Sequence, residues 1–278
     1  MSALPLADRV ALVSGSGRGI GREIALKFAS AGASVVVNDL DKDVAEQTAS
    51  DITAAGGKAT VCAGSVTDPD FADRFVGTAV KEFGGLHIIV NNAGYTWDNV
   101  VQKMTDQQWD DILDVHLKAP FRILRAAQPV ISQAVKAERA AGTPRITRKV
   151  VNISSIAGTG GNPGQINYSS AKAGIMGMTK TMAKEWGRYD VTVNCVAFGL
   201  IRTRLTEASA GGDAKIDIEG RQISVGVNPD LLAQAEKGIP LGRAGTPAEA
   251  AGAVYLFCIP ESDYVSGQVV ICGGGFGG

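Results

Sequence analysis

A short apolar strand, Val10-Ala11-Leu12-Val13, runs directly into Ser14-Gly15-Ser16-Gly17-Arg18-Gly19-Ile20-Gly21. An amphipathic stretch carrying Ile24, Ala25, Phe28 and Ala29 follows. This order specifies a strand, a tight glycine turn and a helix. Glycines let such a turn close and let backbone N–H groups approach an anion at the helix N-terminus. The spacing is Gly-x-x-x-Gly-x-Gly, and no Gly-Lys-Ser/Thr follows, so the turn is not a nucleoside-triphosphate loop.

The rest of the chain repeats the alternation. Continuous apolar runs at 9–14, 34–38, 59–63, 87–91, 149–153, 191–196 and 268–272 read as seven strands. Helical patterns at about 19–30, 41–55, 68–83, 106–139, 166–187 and 247–258 separate them. Asp68-Pro69 and Thr246-Pro247 both read as an N-cap followed by proline at the first helical position. Pro120 and Pro129 predict that 106–139 is broken or kinked. The alternation predicts an α/β fold: a single-domain, doubly wound parallel sheet of about seven strands, with helices on both faces, over residues 1–278. In such sheets ligands sit at the carboxyl ends of the strands.

Two stretches interrupt the pattern. Residues 137–149, with Arg139, Arg145, Arg148 and Lys149, read as a basic solvated loop, the alternative being a docking site for an acidic partner. Residues 199–240 are polar, glycine-containing and long for a connection; one or two short helices are expected there. The glycine-rich end, Gly273 to Gly278, reads as a frayed tail or a subunit contact.

Composition excludes several classes. A net charge of −1 argues against nucleic-acid binding through phosphate neutralisation. No apolar run approaches the ~20 residues of a membrane span, and no signal peptide is evident. Cys62, Cys195, Cys258 and Cys272 are scattered, and with only His87 and His116 no metal site is expected. Cys62 and Cys195 lie in apolar runs and read as buried thiols. These features suit a cytoplasmic protein.

Three further positions carry chemistry. Tyr168 and Lys172 lie four residues apart, on one face of a helix. An ammonium beside a phenol favours the phenolate, which makes the tyrosine a candidate acid and base near neutral pH. Ser155 ends an apolar strand thirteen residues before Tyr168, where its hydroxyl could hold a substrate carbonyl or simply serve a turn. Asp39 ends the second strand, 18 residues after Gly21, where dinucleotide folds place a carboxylate on the adenosine ribose.

Ser14-Gly15-Ser16-Gly17-Arg18-Gly19-Ile20-Gly21, Asn91-Asn92-Ala93-Gly94, Ser155 and Tyr168-Ser-Ser-Ala-Lys172 together resemble the short-chain dehydrogenase/reductase family, in its order and spacing. Within it the sequence is most similar to the 3-oxoacyl-acyl-carrier-protein reductases and the related 3-hydroxyacyl-CoA dehydrogenases. The resemblance implies a nicotinamide cofactor held by Gly15, Gly17, Arg18, Gly19, Ile20 and Asp39. It implies Ser65 and Val66 against the adenine, although the family commonly has aspartate where Ser65 stands. It sets Asn92, Ala93 and Gly94 beside the adenosine-side ribose, and Ile201 and Thr203 against the nicotinamide carboxamide. Phe198-Gly199 replaces the usual Pro-Gly ahead of them. Ser155, Tyr168 and Lys172 are the implied catalytic set, with Lys172 also on the nicotinamide ribose. Asp39 points to NAD as the preferred cofactor, with NADP the alternative because Arg18 can reach a 2′-phosphate. Residues 199–240 are the implied substrate loop.

His116 departs from the family's usual asparagine. The family uses that residue's backbone carbonyl to hold a water linked to the lysine; histidine could preserve the carbonyl or relay protons itself. The expected activity is ketone–alcohol interconversion on a 3-oxoacyl thioester carried by acyl-carrier protein or CoA, by a homotetramer without nucleic-acid or membrane partners. The alternatives are a dehydrogenase of steroid, sugar or other secondary alcohols, and a cofactor-binding sensor or scaffold without catalysis.

Overall fold

The computed structural model describes residues 4–203, 215–224 and 229–276. Its strands are β1 (Val10–Val13), β2 (Ser34–Val37), β3 (Lys58–Val61), β4 (Ile88–Asn91), β5 (Arg148–Ser155), β6 (Val191–Phe198), β7 (Lys215–Ile218), β8 (Arg221–Ser224) and β9 (Val269–Cys272). Its helices are α1 (Gly19–Ser30), α2 (Lys42–Ala54), α3 (Phe71–Phe83), α4 (Asp106–Leu113), α5 (Ala119–Ala141), α6 (Ala157–Gly160), α7 (Ile166–Trp186), α8 (Pro229–Lys237) and α9 (Pro247–Leu256).

The seven expected strands form one parallel sheet in the order β3-β2-β1-β4-β5-β6-β9. Alternate residues of each strand supply the two faces. Ala11, Val13, Val35, Val37, Val151 and Val196 pack against Ile24 and Phe28 of α1 and Val254 of α9. Leu12, Val36, Ile89, Val150 and Val193 pack against Phe71 and Phe75 of α3 and Ile123 and Ile131 of α5. Both faces are covered, which is why the strands read as unbroken apolar runs. Strand order reverses direction at β1, between β2 and β4, and opens a crevice at the carboxyl ends of these strands.

The 106–139 segment is two helices joined by a π-helical turn at Asp114–Lys118. Pro120 lies in the first turn of α5, and its missing N–H leaves the His116 carbonyl without an i+4 donor. Pro129 is accommodated inside α5. Thr246 caps α9 as expected, in a capping box with Glu249.

Two expectations need correction, at Asp68-Pro69 and within 137–149, and two other stretches gain detail. Asp68-Pro69 does not start α3; it forms a turn in which the Phe71 amide donates to the Asp68 carbonyl, and the helix begins one residue after Asp70. Residues 137–149 are a solvated loop only over 142–147. Their first part completes α5, Arg148 is buried and paired bidentately with Glu138, and Lys149 is buried against Asp263 at 2.7 Å. Arg139 and Arg145 both pair with Asp190. The 199–240 region contains one helix, α8, and an unexpected antiparallel hairpin, β7–β8; residues 204–214 and 225–228 lie outside the described residues. In the glycine-rich end, the Leu241 amide is bonded to the Gly274 carbonyl at 3.1 Å.

Candidate active site

A cleft of about 950 Å³ runs along the carboxyl edge of the sheet. Gly15, Arg18, Gly19, Ile20, Asp39, Ser65, Val66, Asn92, Ala93, Gly94, His116, Ser155, Tyr168, Lys172, Ile201 and Thr203 all line it. Gly17 is not among the lining residues; its amide donates to the Asp39 carboxylate.

At one end the glycine turn takes the shape that only glycine allows. Gly15 and Gly19 have φ of 63° and 56°. A Cβ on Gly15 would meet the Ala93 Cα at 2.7 Å, and one on Gly17 the Asp39 carboxylate at 2.7 Å. Helix α1 has Arg18 at its N-cap and no side-chain cap, so its first amides are left for another acceptor. Asp39 accepts from the Gly17 amide at 3.2 Å, which fixes its carboxylate at the mouth of the turn. Arg18 is held by Asp41 at 3.0 Å and faces Asp39 at 4.0 Å.

Two residues that frame this end, Asn38 and Thr48, were not singled out from the sequence. Asn38 accepts from the Gly15 amide and donates to the carbonyls of Cys62 and Gly64, tying three strand ends together. Thr48 of α2 donates to the Gly17 carbonyl at 2.9 Å. Asn92 donates to the carbonyls of Ser14 and Gly15, each at 3.0 Å. A polar residue closing an apolar strand, as Asn38 does, was the available signal. Ser65 shares a 2.8 Å hydrogen bond with Thr67 at the cleft wall.

The other end is built on β5 and α7. Asn91 donates to Asn152, which donates to Thr179 of α7, at 2.8 and 2.9 Å. This buried polar chain pins α7 to the sheet. Asn167 fastens the helix start by donating to the carbonyls of Trp97 and Gln108. Tyr168 and Lys172 therefore face the cleft from a fixed helix, and Ser155 meets them from the end of β5. The Lys172 Nζ lies 5.5 Å from the Tyr168 ring centroid and donates to the Ile153 carbonyl at 2.8 Å.

Burial pushes the Tyr168 phenol up to about 12, only partly opposed by the neighbouring Ser155 hydroxyl. Burial also lowers Lys172 to about 8. Desolvation is the largest influence on the phenol, and the Lys172 ammonium gives its hydrogen bond to the Ile153 carbonyl.

His116 is buried beneath this end. Its Nε2 lies 2.7 Å from the Tyr95 carbonyl, and its ring meets Tyr168 edge-on with centroids 5.0 Å apart. Burial and the Lys172 charge hold its pKa well below the usual histidine value, so the ring is neutral.

The chain matches the family model described as Enoyl-(Acyl carrier protein) reductase over residues 15–277. It is 34% identical to the 3-oxoacyl-[acyl-carrier-protein] reductase FabG of Chlamydia muridarum, over 97% of this chain and 98% of that one. The chain belongs to the short-chain dehydrogenase/reductase family. The FabG proteins of Thermotoga maritima and Staphylococcus aureus are 34% and 35% identical, over 97% and 95% of this chain. As a member of the short-chain dehydrogenase/reductase family the protein is an enzyme, an oxidoreductase. Among the described residues no helix is long and apolar enough to cross a membrane.

Proposed function

We propose that the protein interconverts a 3-oxoacyl thioester and its 3-hydroxy form with a nicotinamide cofactor. The observation that carries this reading is one cleft with a glycine turn and Asp39 at one end and Ser155, Tyr168 and Lys172 converging at the other. The residues fit a dinucleotide: an uncapped helix N-terminus behind positive-φ glycines suits a pyrophosphate, and a fixed carboxylate suits a ribose diol. Ile201 and Thr203 would face the nicotinamide.

A bound nicotinamide supplies the hydride in reduction and accepts it in oxidation. The Ser155 hydroxyl donates to the substrate oxygen and fixes its position. Tyr168 donates its proton to that oxygen as negative charge develops. The Lys172 ammonium stabilises the phenolate left behind, a charge that burial makes costly. A phenol held at about 12 is protonated at neutral pH, which poises the site for reduction.

Asp39 supports NAD as the preferred cofactor, because a 2′-phosphate placed there meets a carboxylate while Arg18 is engaged by Asp41 and Asp39. The substrate end carries Asp98, Asp111 and Glu219, with Arg221 of β8 paired to Asp111 at 3.2 Å. This polar wall favours short acyl chains over long ones. Exposed Val101, Phe121, Ile166, Leu256, Val270 and Phe276 are apolar residues available to the proposed homotetramer. Four free thiols agree with a reducing, cytoplasmic setting.

Cofactor absorbance followed with acetoacetyl-CoA, a longer 3-oxoacyl-CoA, crotonyl-CoA, a steroid ketone and a sugar alcohol tests the reading. Acetoacetyl-CoA is expected to be the best substrate. Preferred turnover of crotonyl-CoA would mark an enoyl reductase, and preferred turnover of the steroid or sugar would replace the thioester reading.

A further inference from the structure

The hairpin β7–β8 brings a charged side chain to the cleft by local rules. Its two-residue turn, Glu219-Gly220, has φ of 51° and 81°, the left-handed pair that a tight hairpin needs. Ile218 and Arg221 face each other across that turn. Side chains two apart on a strand share a face, and Ile223, on the face of Arg221, is 1% exposed. Arg221 therefore turns toward the body of the protein, where it lines the cleft.

There it meets α4. The Arg221 Nη1 lies 3.2 Å from the Asp111 Oδ2 and 3.6 Å from the Glu219 carboxylate. The Asp111 side chain is 15% exposed, and its Oδ2 is buried without an aligned hydrogen bond, so Arg221 is its counter-charge. The Tyr95 phenol stands in the field of the same two groups. Burial pushes it up to about 12, Asp111 adds to the rise and Arg221 opposes it. Tyr95, Asp111, Glu219 and Arg221 all line the cleft. An alkyl tail laid against the pair takes water from two charges, which is costly.

We propose that Arg221 and Asp111 are specificity-determining residues that form a polar stop at the substrate end of the cleft, admitting an acetoacetyl group and rejecting longer alkyl tails. The proposal rests on the reading of the substrate as a 3-oxoacyl thioester and names what sets its chain length. Selection is by rejection: the pair disfavours the methylenes of a long tail rather than holding a short one.

The kcat/KM ratio of 3-oxooctanoyl-CoA to acetoacetyl-CoA reads the stop. Arg221→Met combined with Asp111→Leu replaces the pair by apolar side chains and leaves no lone charge. In that variant the ratio is expected to rise by about tenfold or more, through a lower KM for the longer substrate. The exchanged pair, Arg221→Asp with Asp111→Arg, rebuilds the contact and is expected to return the ratio toward the parent's. An unmoved ratio in the apolar variant, a loss shared equally by both substrates, or an exchanged pair as permissive as the apolar one overturns the proposal. So does a parent that prefers 3-oxooctanoyl-CoA.

Hydrogen exchange of the hairpin amides in the free protein tests the contact without turnover. Arg221→Met alone is expected to speed exchange across β7 and β8, and the exchanged pair to slow it again. Equal exchange in the parent and both variants would show that the pair does not hold the hairpin, and overturns the proposal. If the parent turns over neither thioester, the thioester reading fails while exchange still reports the pair, so the two fail separately.

Discussion

The Lys172 ammonium sits 5.5 Å from the Tyr168 ring centroid and gives its hydrogen bond to the Ile153 carbonyl. Burial moves both groups toward their neutral forms, the phenol up to about 12 and the amine down to about 8. The site thus holds a protonated acid next to a cation that titrates just above neutrality.

That arrangement sets the pH dependence. Tyr168 keeps its proton throughout the neutral range, so it does not limit reduction there. Lys172 loses its charge as pH rises through about 8, and the phenolate formed in turnover then lacks its counter-charge. The kcat for reduction is expected to be level below about pH 7.5 and to fall above 8. Oxidation needs the phenolate, which forms more readily as pH rises toward 12, so its rate at pH 9 should exceed that at pH 7. A reduction rate that climbs from pH 7 to 9 would contradict this assignment.

Gly94 and the His116 ring occupy space that a side chain at 94 would need. Gly94→Ala must displace the imidazole or the segment after β4. Overpacking of this kind costs roughly 1–3 kcal/mol. The variant should melt several degrees lower and bind NAD more weakly. A Gly94→Ala protein with parental melting temperature and affinity would show that the ring moves freely.

The cofactor preference follows from Asp39 and the engaged Arg18. Titration of the unmodified protein should give tighter binding of NADH than of NADPH. Asp39→Ala should narrow the gap by freeing Arg18 from one carboxylate and removing the charge that opposes a 2′-phosphate. Tighter NADPH binding by the parent would show that Arg18 wins over Asp39.

What the sequence made legible is what depends on local spacing. Seven apolar runs became the seven strands, and the i,i+4 pair Tyr168 and Lys172 reached one face of α7. The strand-end position of Asp39 placed it beside the glycine turn. What depended on distant partners was not legible. Asn38 acts through Gly15 and Gly64, 23 and 26 residues away, and Arg221 through Asp111. Lys149 looked solvated because its carboxylate partner, Asp263, is supplied by the fold. The desolvation of the Tyr168 phenol is likewise a product of the fold, whereas the sequence shows only the neighbouring cation.

The central claim is that Tyr168 is the acid in carbonyl reduction, and Tyr168→Phe tests it with one missing oxygen. The measurement is kcat for acetoacetyl-CoA reduction by the purified variant, alongside its cofactor affinity. The account predicts a folded protein that binds cofactor as the parent does and turns over roughly 10²-fold or more slowly. A variant with near-parental turnover would contradict it.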